Sequence, residues 1–386
     1  MGKIANLTAF FILLDILLDI FSTTTKVEAS LHEWSSKYAP DLVTKETVLA
    51  DNRKLIQESI RENGTVLVVI TSWNPRGYHL VRQTIDRLTY ISPAWFAVVP
   101  FFQKKDQNLV NCHIEGNNHI NQDFIRDVRK LKPAIKIVPH YKITDLAPEY
   151  VERMVDEIGM QKVAQTLANH CHEHGFDGLF LEIFVQMTIG QDKEVRFNAI
   201  EAIAQMGNVL RRNGLIAILS LPSPLIYDNS DEYEQFISKP ELDMLIPSFD
   251  LCQIHSYNDI SYQYTRTDKS PWIRRMVEHF GDVSTLMIGL NFYGVEYKLK
   301  EYRSRQGDET VINAKRFLEV LKDEEALYWW NPEAKEHELT LRKNNSIIFY
   351  PSMSSLEYRI RLAAELNVGL TIWDYGMGLD YFTNLV

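Results

Sequence analysis

The chain has 386 residues, of which 45% are hydrophobic and 24% charged, and its formal net charge is −10. This composition is that of a globular protein with a large core, and it excludes disordered and low-complexity chains. The acidic balance, without basic runs, argues against nucleic acid or an anionic membrane as a partner and leaves neutral glycans compatible.

Residues 1–29 predict a cleaved secretory signal peptide. Lys3 precedes an apolar stretch, and small residues near Ala29 would suit cleavage. Asp15 and Asp19 interrupt that stretch, so an amphipathic helix is the alternative. A permanent membrane span is not expected, because the uninterrupted apolar run is too short.

The signal predicts a secreted or lysosomal protein. Two sequons follow it, at Asn63 and Asn344, and would be glycosylated on that route. Only three cysteines are present, so a disulfide scaffold is excluded and at least one thiol is unpaired. Cys171 and Cys252 lie in apolar stretches and are predicted to be small buried residues.

After a partly helical arm over residues 30–64, one domain is predicted over residues 65–386. Eight apolar runs alternate there with segments of helical periodicity, which predicts βα units and a parallel sheet. The runs are TVLVVITS (65–72), AWFAVVPF (94–101), AIKIVPHY (134–141), GLFLEIF (178–184), LIAILSL (215–221), LCQIHSY (251–257), LMIGLNF (286–292) and GLTIWDY (369–375). The predicted fold class is α/β, a (β/α)8 TIM barrel with a small insertion at residues 294–350, between strands seven and eight.

The fourth run carries the chemistry that a barrel of this kind places at its strand ends. Because side chains alternate along a strand, Phe180, Glu182 and Phe184 are predicted to share one face of it. The family resemblance given below implies that this face lines the barrel interior. Between two phenylalanines, Glu182 would have a raised pKa. Gln186 has the same parity and would lie at the mouth. Glu182 is predicted to hydrogen-bond the hydroxyls or acetamide of a sugar, and Gln186 to supply amide hydrogen bonds beside it. The alternative for Glu182 is a buried carboxyl without a ligand role.

This run resembles the signature strand of glycoside hydrolase family 18, the chitinases and chitinase-like lectins, whose pattern is Asp-Gly-x-Asp-x-Asp-x-Glu. Asp177 and Gly178 match the pattern, whereas Phe180, Glu182 and Phe184 stand at the two inner acids and the final Glu. The resemblance implies a mechanism in which the sugar's acetamide attacks and the final Glu protonates the leaving oxygen. Without that acid, general-acid help of about 10²–10⁴-fold would be missing.

Further residues that resemble the family's sugar site lie towards the C-terminus. Tyr257 and Asn258 resemble the Tyr-Asp pair, whose tyrosine is implied to bind the acetamide oxygen. Trp373 matches the tryptophan that forms the floor of the central sugar subsite. Trp73 and Phe184 are additional candidates for packing against a sugar ring. For Tyr257 and Trp373 the alternative is packing in or over the core.

Three segments, WNPRGY, GLNFYG and TIWDYGMGLDYF, resemble a group within the family that lacks the catalytic Glu and keeps a Glu at position 182. Members of that group usually have Trp at position 184, so Phe184 departs from them. The insertion adds Trp329 and Trp330, which would line the cleft wall or anchor the insertion.

No metal or other cofactor is expected. His170, Cys171, His172 and His174 crowd the end of one predicted helix, but they do not have the spacing of a zinc site. Imidazoles at a helix C-terminus are favoured by the helix dipole in any case.

Three functions follow as hypotheses. The first is a catalytically inactive lectin that binds chitooligosaccharides or a related microbial glycan, with no catalytic residue. The second is a weak glycoside hydrolase that uses Glu182 or Asp374 as its acid. The third is a protein-interaction scaffold, and a sorting receptor is a possible protein partner on the secretory or lysosomal route.

Overall fold

Eight parallel strands close into a barrel. The computed structural model describes residues 38–56, 64–103, 106–144, 146, 148–155, 157–227, 233–257, 268–299 and 307–386. The barrel strands are β1 (Val66–Thr71), β2 (Tyr90–Gln103), β3 (His140–Ile143), β4 (Gly178–Glu182), β5 (Ile216–Leu221), β6 (Leu251–Ile254), β7 (Leu286–Asn291) and β8 (Gly369–Trp373). Each pairs with the next, and β8 pairs with β1, so the sheet closes. The predicted TIM barrel is confirmed.

Helices cover the outside of the barrel. They are α1 (Pro75–Thr84), α2 (Gln122–Leu131), α3 (Glu157–His174), α4 (Lys193–Arg212), α5 (Lys239–Leu245), α6 (Ser270–Phe280) and α7 (Met353–Glu365). Side-chain caps begin several of them: Asn74 accepts from Arg76 N, with Pro75 at the first helical position, and Asp192 accepts from Val195 N. Shorter helices are Lys45–Asp51, Pro148–Met154, Phe184–Thr188 and Ala314–Leu321.

Alternation along the strands divides the core into two layers. On β1, Val66, Val68 and Ile70 join the large cluster between strands and helices, while Leu67 and Val69 fill the barrel interior. The remaining interior residues are Val138, Phe180, Ile218 and Met287. Polar side chains of the same parity at the strand ends therefore converge on the mouth of the barrel.

The segment between β7 and β8 forms its own antiparallel sheet of five strands. In spatial order they are Gly307–Ile312, Gly294–Leu299, Ser346–Phe349, Glu336–Leu341 and Ala326–Asn331. The last of these is an edge strand and carries Trp329 and Trp330.

The described part of the N-terminal arm, residues 38–56, runs along the barrel. Its helix Lys45–Asp51 begins at the capping residue Thr44, and Ile56 N donates to Asn384 Oδ1 near the C-terminus. The predicted signal peptide, residues 30–37 and the sequon residue Asn63 lie outside the described residues. Across the described segments, no helix is both long and apolar enough to cross a bilayer. The three cysteines are buried and unpaired.

Candidate functional site at the barrel mouth

Trp373, the last residue of β8, is half-buried at the centre of the mouth. Its ring centroid lies 5.6 Å from those of Phe180 and His140 and 5.5 Å from that of His255. Both imidazole rings meet it edge to face. Its indole Nε1 is buried and has no hydrogen-bond partner among the described residues. A buried donor without a partner leaves a hydrogen bond for a ligand or water to supply.

Glu182, the last residue of β4, is held by two basic side chains of β3. Its Oε1 lies 2.8 Å from Lys142 Nζ, and its Oε2 lies 3.0 Å from His140 Nε2. The register explains these contacts, because His140 is level with Phe180 and Lys142 is level with Glu182 across the parallel pair. Gln186 Nε2 lies 3.5 Å from Glu182 Oε1.

These contacts determine the charge of Glu182. Burial raises the pKa of Glu182, but the hydrogen bonds and charges of His140 and Lys142 lower it by a larger amount. The resulting pKa is well below the usual range. The expectation of a raised pKa is therefore wrong. That expectation rests on the phenylalanines beside Glu182 in the sequence and leaves out the basic side chains of β3. At neutral pH Glu182 is a carboxylate that accepts hydrogen bonds and is a poor proton donor.

Phe184 does not line the mouth, and the prediction that it shares the face of Phe180 and Glu182 is wrong. The strand ends at Glu182, and Ile183 has φ −137° and ψ −26°, which leaves the extended conformation and begins the helix Phe184–Thr188. Alternation therefore stops before Phe184. Its side chain is fully buried in the outer core layer, and the guanidinium of Arg196 lies 5.6 Å from its ring centroid.

His255 lies between Tyr257 and Trp373 and contacts both rings. The ring of Tyr257 stacks on His255 with centroids 5.5 Å apart, and it meets Tyr293 edge to face. Burial, with the negative charges of Asp374 and Glu182 nearby, raises the pKa of Tyr257 well above its usual value, so it stays a hydroxyl. Burial lowers the pKa of His255 to about 4, so that imidazole is neutral.

Below these rings lies a buried amide. Gln253 is fully buried on β6, and its Oε1 accepts from Ser220 Oγ at 3.0 Å. Its Nε2 has no partner in the described part of the chain. Gly289 on β7 makes room for this arrangement, since a Cβ there would lie 2.6 Å from the Tyr257 ring and 3.0 Å from Gln253 Nε2.

Asp374 follows Trp373 and has a left-handed backbone, with φ 53° and ψ 54°. Aspartate tolerates this region better than most residues, at a cost in strain of about 1 kcal/mol or more. Its Oδ1 is buried and has no described partner. Burial raises the pKa of Asp374 to about 6, which makes it the carboxyl at the mouth that gains a proton most readily.

The other predicted site residues fall in different places. Gln186 lies on the short helix rather than on β4, although it still reaches Glu182. Trp73 is 72% exposed, two residues after β1. Asn258 lies outside the described residues. Asn344 ends a short 3₁₀ turn in the insertion.

The histidines at the end of α3 have a structural role. His170 Nδ1 shares a hydrogen bond of 2.8 Å with Tyr141 OH, its Nε2 lies 2.7 Å from Asn117 Oδ1, and its ring meets that of His174. In the described part of the chain, no group of three His, Cys, Asp or Glu side chains is placed to hold a metal ion.

No model of a known protein family matches the chain. Solved structures match its fold. A chitinase from Chromobacterium violaceum superposes with a TM-score of 0.65 at 15% identity, covering 83% of this chain and 97% of that one. A family 18 N-acetylglucosaminidase from Paenibacillus barengoltzii gives 0.63 at 14%, covering 84% and 100%. The fold is that of the family 18 glycoside hydrolases. A family 18 chitinase from Cycas revoluta superposes with a TM-score of 0.62 at 12% identity, covering 83% of this chain and 97% of that one. Its structure was solved in complex with (GlcNAc)3.

Three residues of the mouth were not predicted from the sequence. His140 and Lys142 on β3 are level with Phe180 and Glu182, and His255 follows the last residue of β6 with the parity of the interior residue Gln253. That parity was the available signal. The predicted third run covers residues 134–141 and so ends one position before Lys142.

Proposed function

We propose that this protein binds an N-acetylated oligosaccharide at the barrel mouth and does not hydrolyse it. The observation that carries the proposal is the pairing of Glu182 with Lys142 and His140, which keeps the one β4 carboxyl of the mouth ionised. A glycosidase needs a proton donor at the leaving oxygen, and a carboxylate with a strongly lowered pKa does not supply one.

The binding half of the proposal rests on the floor of the mouth. Trp373 offers a half-buried indole face and an Nε1 donor that has no partner among the described residues, and the buried amide of Gln253 beneath it has an Nε2 that is likewise without a described partner. A ring face for C–H groups together with donors for a carbonyl oxygen suits an N-acetyl sugar. The fold likeness supports the same ligand class, because structures of the Cycas revoluta chitinase were solved with (GlcNAc)3 and with (GlcNAc)4.

The sequence also supports a finer assignment. The segments WNPRGY, GLNFYG and TIWDYGMGLDYF resemble those of chitinase domain-containing protein, also called stabilin-interacting chitinase-like protein. That resemblance, with the predicted signal peptide and sequons, supports a glycoprotein of the secretory or lysosomal pathway that senses microbial glycans and meets a sorting receptor there.

The test compares wild type with Trp373→Ala, using (GlcNAc)4 in calorimetry and in an assay for released reducing ends. We expect wild type to bind without turnover and Trp373→Ala to lose at least about tenfold in affinity, since one aromatic platform contributes on the order of 1–3 kcal/mol. Trp95→Phe, a change of a buried tryptophan in the outer core layer, is the matched control and should keep the affinity. Equal affinity in wild type and Trp373→Ala would reject the proposal.

Asp374 supports a second candidate, a weak hydrolase. Its pKa of about 6, its place next to Trp373 and its buried Oδ1, which has no partner among the described residues, are those of a carboxyl that could donate a proton. Turnover of (GlcNAc)4 that declines above about pH 6, and that Asp374→Asn abolishes while Glu182→Gln retains it, would establish this activity in place of the non-hydrolytic one.

A further inference from the structure

A second pocket lies away from the barrel mouth, between the N-terminal arm and the edge strand of the insertion. It has a volume of about 440 Å³, and its walls include Asp41 and Thr44 from the arm and Tyr328, Trp329 and Trp330 from the strand. That volume is within the range of small-molecule sites, about 300–1,000 Å³, which are mostly apolar with a few polar groups. The walls share no residue with the site around Trp373.

The inner wall of the pocket is fixed by His337. Its Nδ1 shares a hydrogen bond of 2.8 Å with Ser352 Oγ. The backbone of Pro40 and Val43 in the arm lies near enough to the imidazole to raise its pKa against the effect of burial. The ring of Tyr328 stacks on His337 with centroids 4.7 Å apart. The arm and the insertion sheet are thus joined through one buried imidazole, so the pocket is formed before any ligand arrives.

The outer wall is an open indole. Trp329 is 41% exposed, and in the same strand Leu327 is 48% exposed. An edge strand that shows large apolar side chains to solvent is a liability for aggregation. A ligand that covers Trp329 removes that liability.

Charge and ring exposure limit the class of ligand. Burial lowers the pKa of His337 to about 4, so at neutral pH that imidazole is uncharged, and among the described residues that line the pocket Asp41 is the one acidic side chain. An anionic ligand is disfavoured by that carboxylate. A cage for a cation needs several open ring faces, whereas one face of Tyr328 is taken by His337 and Trp330 meets His337 edge to face. One open indole beside a carboxylate suits a neutral sugar ring, which stacks its C–H face and donates hydroxyls.

We propose that this pocket is a second saccharide-binding site, in which Trp329 stacks on a neutral sugar ring and Asp41 accepts hydrogen bonds from its hydroxyls. It shares the ligand class of the proposed function but none of its residues. On a long glycan chain, two sites on one protein can raise the overall affinity by about 10²–10⁴-fold when the geometry allows both to be occupied.

The experiment follows the indole N–H signals of the full-length protein, labelled with ¹⁵N-tryptophan, during titration with (GlcNAc)4. The chain has seven tryptophans, and signals are assigned by substitution. We expect the Trp329 and Trp330 signals to shift and reach saturation. In Trp329→Ala, the apparent Kd obtained from the Trp330 signal should rise by about tenfold. Asp41→Asn should raise it as well. Leu327→Ala, an exposed change on the same strand, is the matched control for folding and should leave the titration unchanged.

The outcomes separate the two sites. Shifts at Trp373 without shifts at Trp329 and Trp330 overturn the second site and leave the proposed function intact. Shifts at Trp329 and Trp330 without shifts at Trp373 support the second site and count against the proposed function. A response of Trp329 to tetramethylammonium, with none to the sugar, overturns the saccharide assignment in favour of a cation site.

Discussion

Lys142 Nζ lies 2.8 Å from Glu182 Oε1, across the parallel pair of β3 and β4. The family resemblance compares residues of one strand, whereas this ion pair joins two. The contact decides whether Glu182 is a proton-donating acid or a carboxylate, and several measurable consequences follow from it and from other residues of the fold.

The first prediction concerns the stability contributed by ionised Glu182. Its folded pKa is below the unfolded value of about 4.3, so the contribution is present above that pH and is lost as the pH falls towards the folded pKa. Glu182→Gln should lower the free energy of unfolding at pH 7 by about 1–3 kcal/mol, and by less at pH 3. Urea unfolding at the two pH values measures this. A difference that is the same at both would contradict the ion-pair account.

The second prediction concerns Asp374, for which the sign is opposite. Its folded pKa of about 6 exceeds the unfolded value of about 3.9, so the folded state is penalised as the pH rises through this interval. Asp374→Asn removes the penalty, and asparagine tolerates the left-handed backbone. We expect this variant to be more stable than wild type at pH 7.5 by about 1–3 kcal/mol and equally stable at pH 4. Thermal unfolding at both pH values tests this, and a loss of stability at pH 7.5 would count against it.

The third prediction is that Phe184→Glu does not create a hydrolase. The position is fully buried in the outer core layer, so a carboxylate there is desolvated and remote from the mouth. The variant should lose about 3 kcal/mol or more of stability and show no release of sugar from (GlcNAc)4. Phe184→Leu, the apolar control, should lose less than about 2 kcal/mol. Hydrolysis by a folded Phe184→Glu protein would show that the position reaches the cleft.

The fourth prediction concerns Gly289. A Cβ added there would lie 2.6 Å from Cε1 of Tyr257, so Gly289→Ala must displace that ring. We expect a loss of about 1–3 kcal/mol in stability and weaker binding of (GlcNAc)4. In a Tyr257→Ala background the same change should cost less, because the ring that it meets is gone. Additive losses in the double variant would mean that the two positions are not coupled.

The barrel could be predicted from the sequence because its strands are long apolar runs with regular spacing. Alternation predicts that Phe180 and Glu182 share a face, and the family resemblance implies that this face is the barrel interior. The end of β4 could not be predicted, because it depends on the backbone angles of one residue, Ile183, within an apolar stretch that reads as continuous strand.

The charge state of Glu182 could not be predicted from the sequence, for a different reason. Lys142 is 40 positions from Glu182 in the sequence, and only the register of two strands brings them together. The pKa shift of Glu182 that its neighbours in sequence predict therefore has the wrong direction. The pocket at Trp329 likewise needs the arm and the insertion to meet, which no local pattern encodes.

Arg196 has a consequence for protein engineering. Its guanidinium covers the ring of Phe184, and it also binds Glu241 with Nε–Oε1 at 2.7 Å and the carbonyl of Phe236 at 2.9 Å. Three segments of the chain thus depend on the side chain at position 184 staying apolar. A designer who wants a working chitinase from this scaffold would have to rebuild that whole junction and redirect the chain after Glu182, since no exchange of a single amino acid can do both.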